Sequence, residues 1–241
     1  MQLHIEKDPS ELSKVLAQWT ADYISSTLKI QDRFTWVITG GNSPKQLYDL
    51  LSQSPLKEKI DWTRMHIFWG DERAVPFADD RNNAKMCFEH LLNKVPIPRE
   101  QIHVMNTDID PKESASQYEK ILRGYFVDDG SSFDLVLSGM GDDAHTLSLF
   151  PHTAAIHEKN LWATSLFLKS QDMFRITLTA PIVNRAKKIS FLTFGKAKAD
   201  ALKHVLEDAY NPDLYPSQII KPVSGELHWF VDQEAASLLA P

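Results

Sequence analysis

The sequence predicts an α/β fold in which a largely parallel sheet is flanked by helices. One observation is the recurrence of short β-rich apolar runs at residues 34–39, 65–69, 133–138 and 188–194. Another is that helical patterns lie between those runs, the order that parallel strands with helical crossovers require. A third is that glycine-containing polar motifs follow several of the runs, where an open α/β sheet gathers its ligands. The expected architecture is a Rossmann-like three-layer sandwich.

The first helix is the clearest. Leu12, Val15, Leu16, Trp19, Tyr23 and Ile24 fall on one face at 3.6-residue periodicity, and Ser10 is placed to cap them. Further helices are expected over 44–52, 83–92, 114–124 and 197–207. The proline-containing stretches at 95–98 and 211–216 are too short for a domain linker, and no internal repeat is visible. One domain over residues 1–241 is expected, which 43% hydrophobic residues can furnish with one sizeable core.

Composition narrows the function. The 32 acidic and 26 basic residues are interspersed and leave a net charge of −6, without the basic stripe that nucleic acid requires. An anionic small molecule would need a local cluster of cations and backbone N–H groups. Cys87 is the only cysteine, so no intramolecular disulfide forms; Met86 and Phe88 beside it mark a buried apolar position. The start, Met1 to Glu6, lacks the pattern of a secretion signal, and no apolar stretch approaches the roughly 20 residues of a membrane span. A soluble cytoplasmic protein with no membrane partner is expected; monomer and homodimer stay equally open.

Three motifs carry chemistry. Thr39-Gly40-Gly41-Asn42-Ser43-Pro44 sits where a strand turns into a helix. Its glycines permit close backbone approach, Ser43 suits an N-cap and Pro44 the first helical turn, so a phosphate would fit. An ordinary βα turn would look the same, and neither the Walker nor the dinucleotide fingerprint is present. Asp71-Glu72-Arg73 follows the strand ending at Trp69, and Arg73 there can bind an anion or stabilise an oxyanion. Gly139-Met140-Gly141-Asp142-Asp143-Ala144-His145 places a carboxylate two residues before an imidazole. An imidazole of ordinary pKa about 6.5 suits proton removal from water near neutral pH, and a carboxylate in reach can hold its tautomer. Arg175, in an alternating run, and Lys198, near a helix start, could reach the same crevice or remain surface cations.

Taken together, these motifs resemble the 6-phosphogluconolactonase family across nearly the whole chain. Gly40-Gly41-Asn42-Ser43-Pro44 is similar to its Gly-Gly-Ser-Thr-Pro, Asp71-Glu72-Arg73 with Val75-Pro76 to its Asp-Glu-Arg-x-Val-Pro, and residues 143–151 to its Asp-Gly-His-Thr-Ala-Ser-Leu-Phe-Pro. The resemblance implies hydrolysis of 6-phospho-D-glucono-1,5-lactone in the pentose phosphate pathway, with His145 as general base, Asp143 assisting and Arg73 in the active site. It further implies that Gly40, Gly41, Asn42, Ser43, Arg175 and Lys198 gather around the phosphate of the phosphosugar lactone; neither cofactor nor metal is expected. The oxyanion falls to Arg73 or to backbone N–H groups near the glycines. Ala144 departs from the family glycine; the expectation is an ordinary negative φ there, which accommodates alanine.

Two other readings compete. The related glucosamine-6-phosphate deaminases carry Asp-Glu-Tyr in place of Asp71-Glu72-Arg73, and Gly-Phe-Asn-Glu-Pro in place of Leu147-Ser148-Leu149-Phe150-Pro151. A non-catalytic phosphosugar-binding regulator would bring a DNA-binding appendage, and the residues before Phe34 offer one amphipathic helix. His145, His152 and His157 lack the spacing of a helical zinc motif.

Overall fold

The computed structural model describes residues 1–127 and 130–240. Its strands are β1 (Gln2–Glu6), β2 (Phe34–Ile38), β3 (Met65–Trp69), β4 (Asp71–Arg73), β5 (Ile102–His103), β6 (Leu135–Gly139), β7 (Ala163–Leu168), β8 (Met173–Leu178), β9 (Lys188–Thr193) and β10 (Glu226–Asp232). The α-helices are α1 (Pro9–Thr27), α2 (Lys45–Leu51), α3 (Leu56–Lys59), α4 (Asn83–Cys87), α5 (Pro111–Tyr125), α6 (Ala180–Val183) and α7 (Ala199–Glu207). The chain forms the three-layer α/β fold expected from its sequence.

Seven strands make one sheet in the order β1-β10-β9-β6-β2-β3-β5, and every pair is parallel. A parallel sheet covered on both faces buries its central strands, so those strands read as unbroken apolar runs rather than alternating ones. That is the case for β2, whose five residues are all buried. Trp36, Trp69, Trp229 and Tyr48 are the largest fully buried side chains. Cys87 is buried as expected, beside Tyr48 and Trp69, and burial pushes its thiol pKa up.

Two local details differ from the sequence expectation. The carboxylate of Asp8, not Ser10, caps α1, accepting from the N–H groups of Ser10 (3.0 Å) and Glu11 (2.9 Å), with Pro9 opening the helix. The segment expected as one helix over 83–92 is α4 followed by a π-helical turn, Phe88–Leu92. Among the described residues, no helix is long and apolar enough to cross a membrane.

A second sheet, which the sequence pattern does not announce, runs antiparallel in the order β4-β8-β7. Gly70 hands the chain from one sheet to the other. Its N–H donates to the Ile38 carbonyl (3.1 Å), while its own carbonyl accepts from Leu178 N–H (2.8 Å). The motif following β3 therefore becomes the edge strand of this second sheet.

Candidate active site

The carboxyl ends of β9, β6, β2 and β3 lie side by side, and the chain motifs emerge from them in that spatial order. After β2, Gly41 adopts φ +83°, a conformation that glycine takes without steric cost. Gly40 is glycine for another reason: a Cβ there would lie 1.8 Å from Asn83 Oδ1. The close approach that requires it comes from a protein side chain. Ser43 is not the N-cap expected of it; α2 starts after Pro44 without a side-chain cap, and Ser43 and Asn42 are exposed. Gly41, Asn42, Lys45, Arg73 and Asn83 line a cleft of about 370 Å³.

After β3, the three charged residues take different environments. Glu72 is 1% exposed, and its carboxylate accepts from the N–H groups of Arg73 (2.7 Å), Asn83 (2.7 Å) and Ala84 (2.8 Å). Burial outweighs these bonds and raises its pKa to about 7. Asp71 is also buried and accepts from Ser148 Oγ at 2.6 Å. Arg73 points its guanidinium to the carbonyl of Arg81 (3.2 Å) and to Asn83 Oδ1.

Arg73 stands directly opposite Arg175 in the antiparallel ladder, so the two side chains leave the same face of the small sheet. Arg175 is 5% exposed; its Nη2 donates to Gln171, its Nη1 lies 3.8 Å from the Asp71 carboxylate, and its buried Nε has no partner among the described residues. Burial lowers its pKa, and Arg73 adds repulsion. Two cations facing each other across a ladder are destabilising alone, and an anion between them removes the repulsion.

After β6 comes the loop with the imidazole. His145 Nδ1 is hydrogen-bonded to the Asp143 carboxylate, which also accepts the backbone N–H of His145 (3.1 Å). Asp143 acting as acceptor holds the proton on Nδ1 and leaves Nε2 basic. Burial raises the Asp143 pKa, but the bonds and attraction from His145 outweigh it and the net shift is downward. Gly141 makes this geometry possible, since a Cβ there would lie 2.1 Å from His145 Nδ1 and 2.4 Å from Asp143 Oδ1. The other face of the site is aromatic: Phe150 stacks on the His145 ring at 4.1 Å and 25°, and Arg175 lies 5.8 Å from the same phenyl ring.

The negative φ expected at Ala144 is overturned: the residue adopts φ +61°, with Leu147 also left-handed at +54°. A Cβ in this region crowds the backbone and costs roughly 1–2 kcal/mol. What holds Ala144 there is Ser217, whose N–H (2.9 Å) and Oγ (2.7 Å) both donate to its carbonyl. Ser217 and Asn83 are residues to which the sequence reading assigned no part in the site. A polar residue 1% exposed leaves no mark in a local pattern, although Asn83 immediately after Asn82 at a helix start is a visible capping signal.

The structure thus brings Gly41, Asn42 and Arg73 into one cleft, and joins His145, Asp143 and Arg175 through Phe150. Lys198, half-buried, ends the 3₁₀ turn Lys196–Lys198 beyond β9, the sheet neighbour of β6. Fold and site define an α/β protein carrying an Asp–His pair and facing arginines at the carboxyl edge of a parallel sheet.

Comparison with known proteins narrows this further. The chain belongs to the family described as glucosamine-6-phosphate isomerases/6-phosphogluconolactonase, which it matches over residues 7–229. A 6-phosphogluconolactonase of Synechocystis is 38% identical over 222 residues, covering 90% of both chains. The solved 6-phosphogluconolactonase of Trypanosoma cruzi superimposes with a TM-score of 0.87 at 26% identity, over 100% of this chain and 97% of that one. A solved monomeric glucosamine-6-phosphate deaminase shares the fold almost as well, with a TM-score of 0.85 at 20% identity over 99% and 100% of the two chains. The fold therefore does not separate the two chemistries; the side chains must.

Proposed function

We propose that this chain hydrolyses 6-phospho-D-glucono-1,5-lactone to 6-phosphogluconate, the lactonase step of the pentose phosphate pathway, without metal or cofactor. One observation carries the reading: a carboxylate-oriented imidazole is packed through a single phenyl ring onto one of two facing arginines. A general base and an anion site thereby share one edge of the sheet.

In the proposed mechanism His145 Nε2 takes a proton from water as its oxygen bonds to the lactone carbonyl carbon, and Asp143 stabilises the imidazolium. The tetrahedral intermediate places negative charge on the former carbonyl oxygen, for Arg73 or backbone N–H groups of the glycine turns to stabilise. Its collapse breaks the bond to the ring oxygen, which receives the proton from His145. The phosphate, held by Gly40, Gly41, Asn42, Ser43, Arg175 and Lys198, orients the far end of the substrate so that water, carbonyl and base align. We also propose that the chain acts as one domain in the cytoplasm, a reducing setting in keeping with its single buried cysteine.

Phe150 argues for the lactonase against the deaminase, because it stacks on the imidazole where the deaminase pattern has a carboxylate. The test offers freshly generated 6-phosphogluconolactone and glucosamine 6-phosphate in parallel, with spontaneous lactone hydrolysis subtracted. Acid release from the lactone alone is expected. Ammonia from the amino sugar with no enzymatic lactone hydrolysis would reverse the assignment.

A further inference from the structure

We infer that Asn83 is a positioning residue for anion recognition, holding Arg73 against the glycine turn with its charge left available to the ligand. The inference rests on the reading of this cleft as the place where the phosphorylated substrate binds, and it names the device that prepares the cleft.

Asn83 is 1% exposed, and each of its polar atoms is committed to a different part of the site. Its N–H donates to the Glu72 carboxylate (2.7 Å), which also takes the Ala84 N–H and so pins the start of α4. Its Nδ2 donates to the Asp71 carbonyl (2.9 Å) and approaches the Asp71 carboxylate (3.4 Å). Its Oδ1 accepts from Arg73 Nη1. Its side chain fills the space above Gly40, where a Cβ would lie 1.9 Å from Cγ and 2.6 Å from Cβ of Asn83. One buried amide thereby joins the glycine turn to Asp71 and Arg73, which β2 and β3 deliver from separate places in the sequence.

The chemistry of the acceptor matters as much as its place. Both groups that hold Arg73, the Asn83 amide oxygen and the Arg81 carbonyl, are neutral, and among the described residues Arg73 has no carboxylate ion pair. Neutral acceptors orient a guanidinium without cancelling its charge, whereas a carboxylate in the same place would compete with the ligand for it. Arg175 differs, having the Asp71 carboxylate 3.8 Å away. Lys45, half-buried, is a further cation on the same cleft wall, where Lys85 is paired with Asp80 (2.5 Å) and Glu89 also lines the cleft.

The test is calorimetric titration with 6-phosphogluconate, which needs no turnover, on the parent, Asn83→Asp, Asn83→Ala, Gly40→Ala and the Gly40→Ala/Asn83→Ala double variant. Asn83→Asp keeps the shape but pairs Arg73 with a carboxylate and replaces the N–H donor to the Asp71 carbonyl with an acceptor, so its Kd is expected to rise about tenfold or more. Asn83→Ala loosens Arg73 and raises Kd by a comparable factor. Gly40→Ala drives the Asn83 side chain away and is damaging in the parent; with alanine at 83 the contacts at 1.8 and 1.9 Å are gone and only the one at 2.6 Å to Cβ remains, so the change costs less than it does in the parent. Should Asn83→Ala fail to fold, Asn83→Asp and Gly40→Ala carry the decision.

Binding by Asn83→Asp within about twofold of the parent, or full additivity of the Gly40 and Asn83 changes, overturns the inference. Absence of binding to the parent overturns it as well. A parent that binds 6-phosphogluconate but does not hydrolyse the lactone defeats the proposed reaction while leaving the role of Asn83 standing. Normal hydrolysis with Asn83 variants that bind like the parent has the opposite meaning.

Discussion

Gly141→Ala inserts one methyl group beneath the proposed catalytic pair. The new Cβ would lie 2.1 Å from His145 Nδ1, 2.3 Å from Cε1 and 2.4 Å from Asp143 Oδ1, where 3.0 Å is the closest approach that real Cβ atoms tolerate. The imidazole must therefore retreat by about 0.9 Å or turn away, a displacement on the scale at which misaligned groups lose about 10²-fold in rate. The fold has little reason to suffer. The clashing atoms are ends of side chains that are 28% and 45% exposed, and Gly141 is not among the positive-φ glycines. Alanine there also restricts the unfolded chain, which favours the folded state by about 0.4–1 kcal/mol. The expected result is a kcat lower by about two orders of magnitude, with an unchanged or slightly raised Tm. The assay is lactone hydrolysis corrected for the spontaneous rate, with thermal unfolding measured on the same preparation. A kcat within about threefold of the parent would refute the reasoning, because an imidazole that tolerates this methyl is not held where the mechanism needs it.

His145→Ala is expected to lower the corrected kcat by about 10²–10⁴-fold with a smaller change in KM, and a kcat within about twofold of the parent removes His145 from the role of base. For Ala144→Gly, relief of about 1–2 kcal/mol of left-handed strain is opposed by a looser unfolded chain (about 0.4–1 kcal/mol) and a lost buried methyl (about 0.8 kcal/mol). Thermal unfolding should accordingly move by no more than about 3 °C, and a rise well beyond that would mean Ser217 does not relieve the loop. Glu72, with a pKa of about 7 against an ordinary 4.5, binds its proton more tightly folded than unfolded. Its contribution to stability is therefore complete below about pH 4.5 and is lost as pH rises towards 7, by at most a few kcal/mol. Urea unfolding across that range should show the decline in the parent and a flatter profile in Glu72→Gln; equal slopes would assign the decline to other groups.

Much of the site is legible in the amino-acid sequence because its motifs are local. The apolar runs that form β2, β3, β6 and β9 are buried on both faces and announce themselves in composition. The edge strand β1 and the two-residue β5 do not, since exposed or very short strands need little apolar character. The spacing of Asp143 and His145 likewise carries through to the folded chain, as a two-residue separation in one turn leaves few ways to keep the side chains apart.

By itself, the sequence determined the α/β class, through the alternation of apolar runs and helical patterns along the chain, and the glycine turn and the Asp–His pair, each of these two encoded within about ten consecutive residues. Tertiary structure alone decided that Arg73 faces Arg175 across a second sheet, that Asn83 occupies the space above Gly40, and that Ala144 is left-handed. The physical reason is the same in each case. Those features depend on partners distant in the chain, such as Ser217 bonding a carbonyl 73 residues away. Periodicity and propensity report the conformation that a segment prefers; only the packed fold supplies the hydrogen bonds that hold an alanine where its own preference would not.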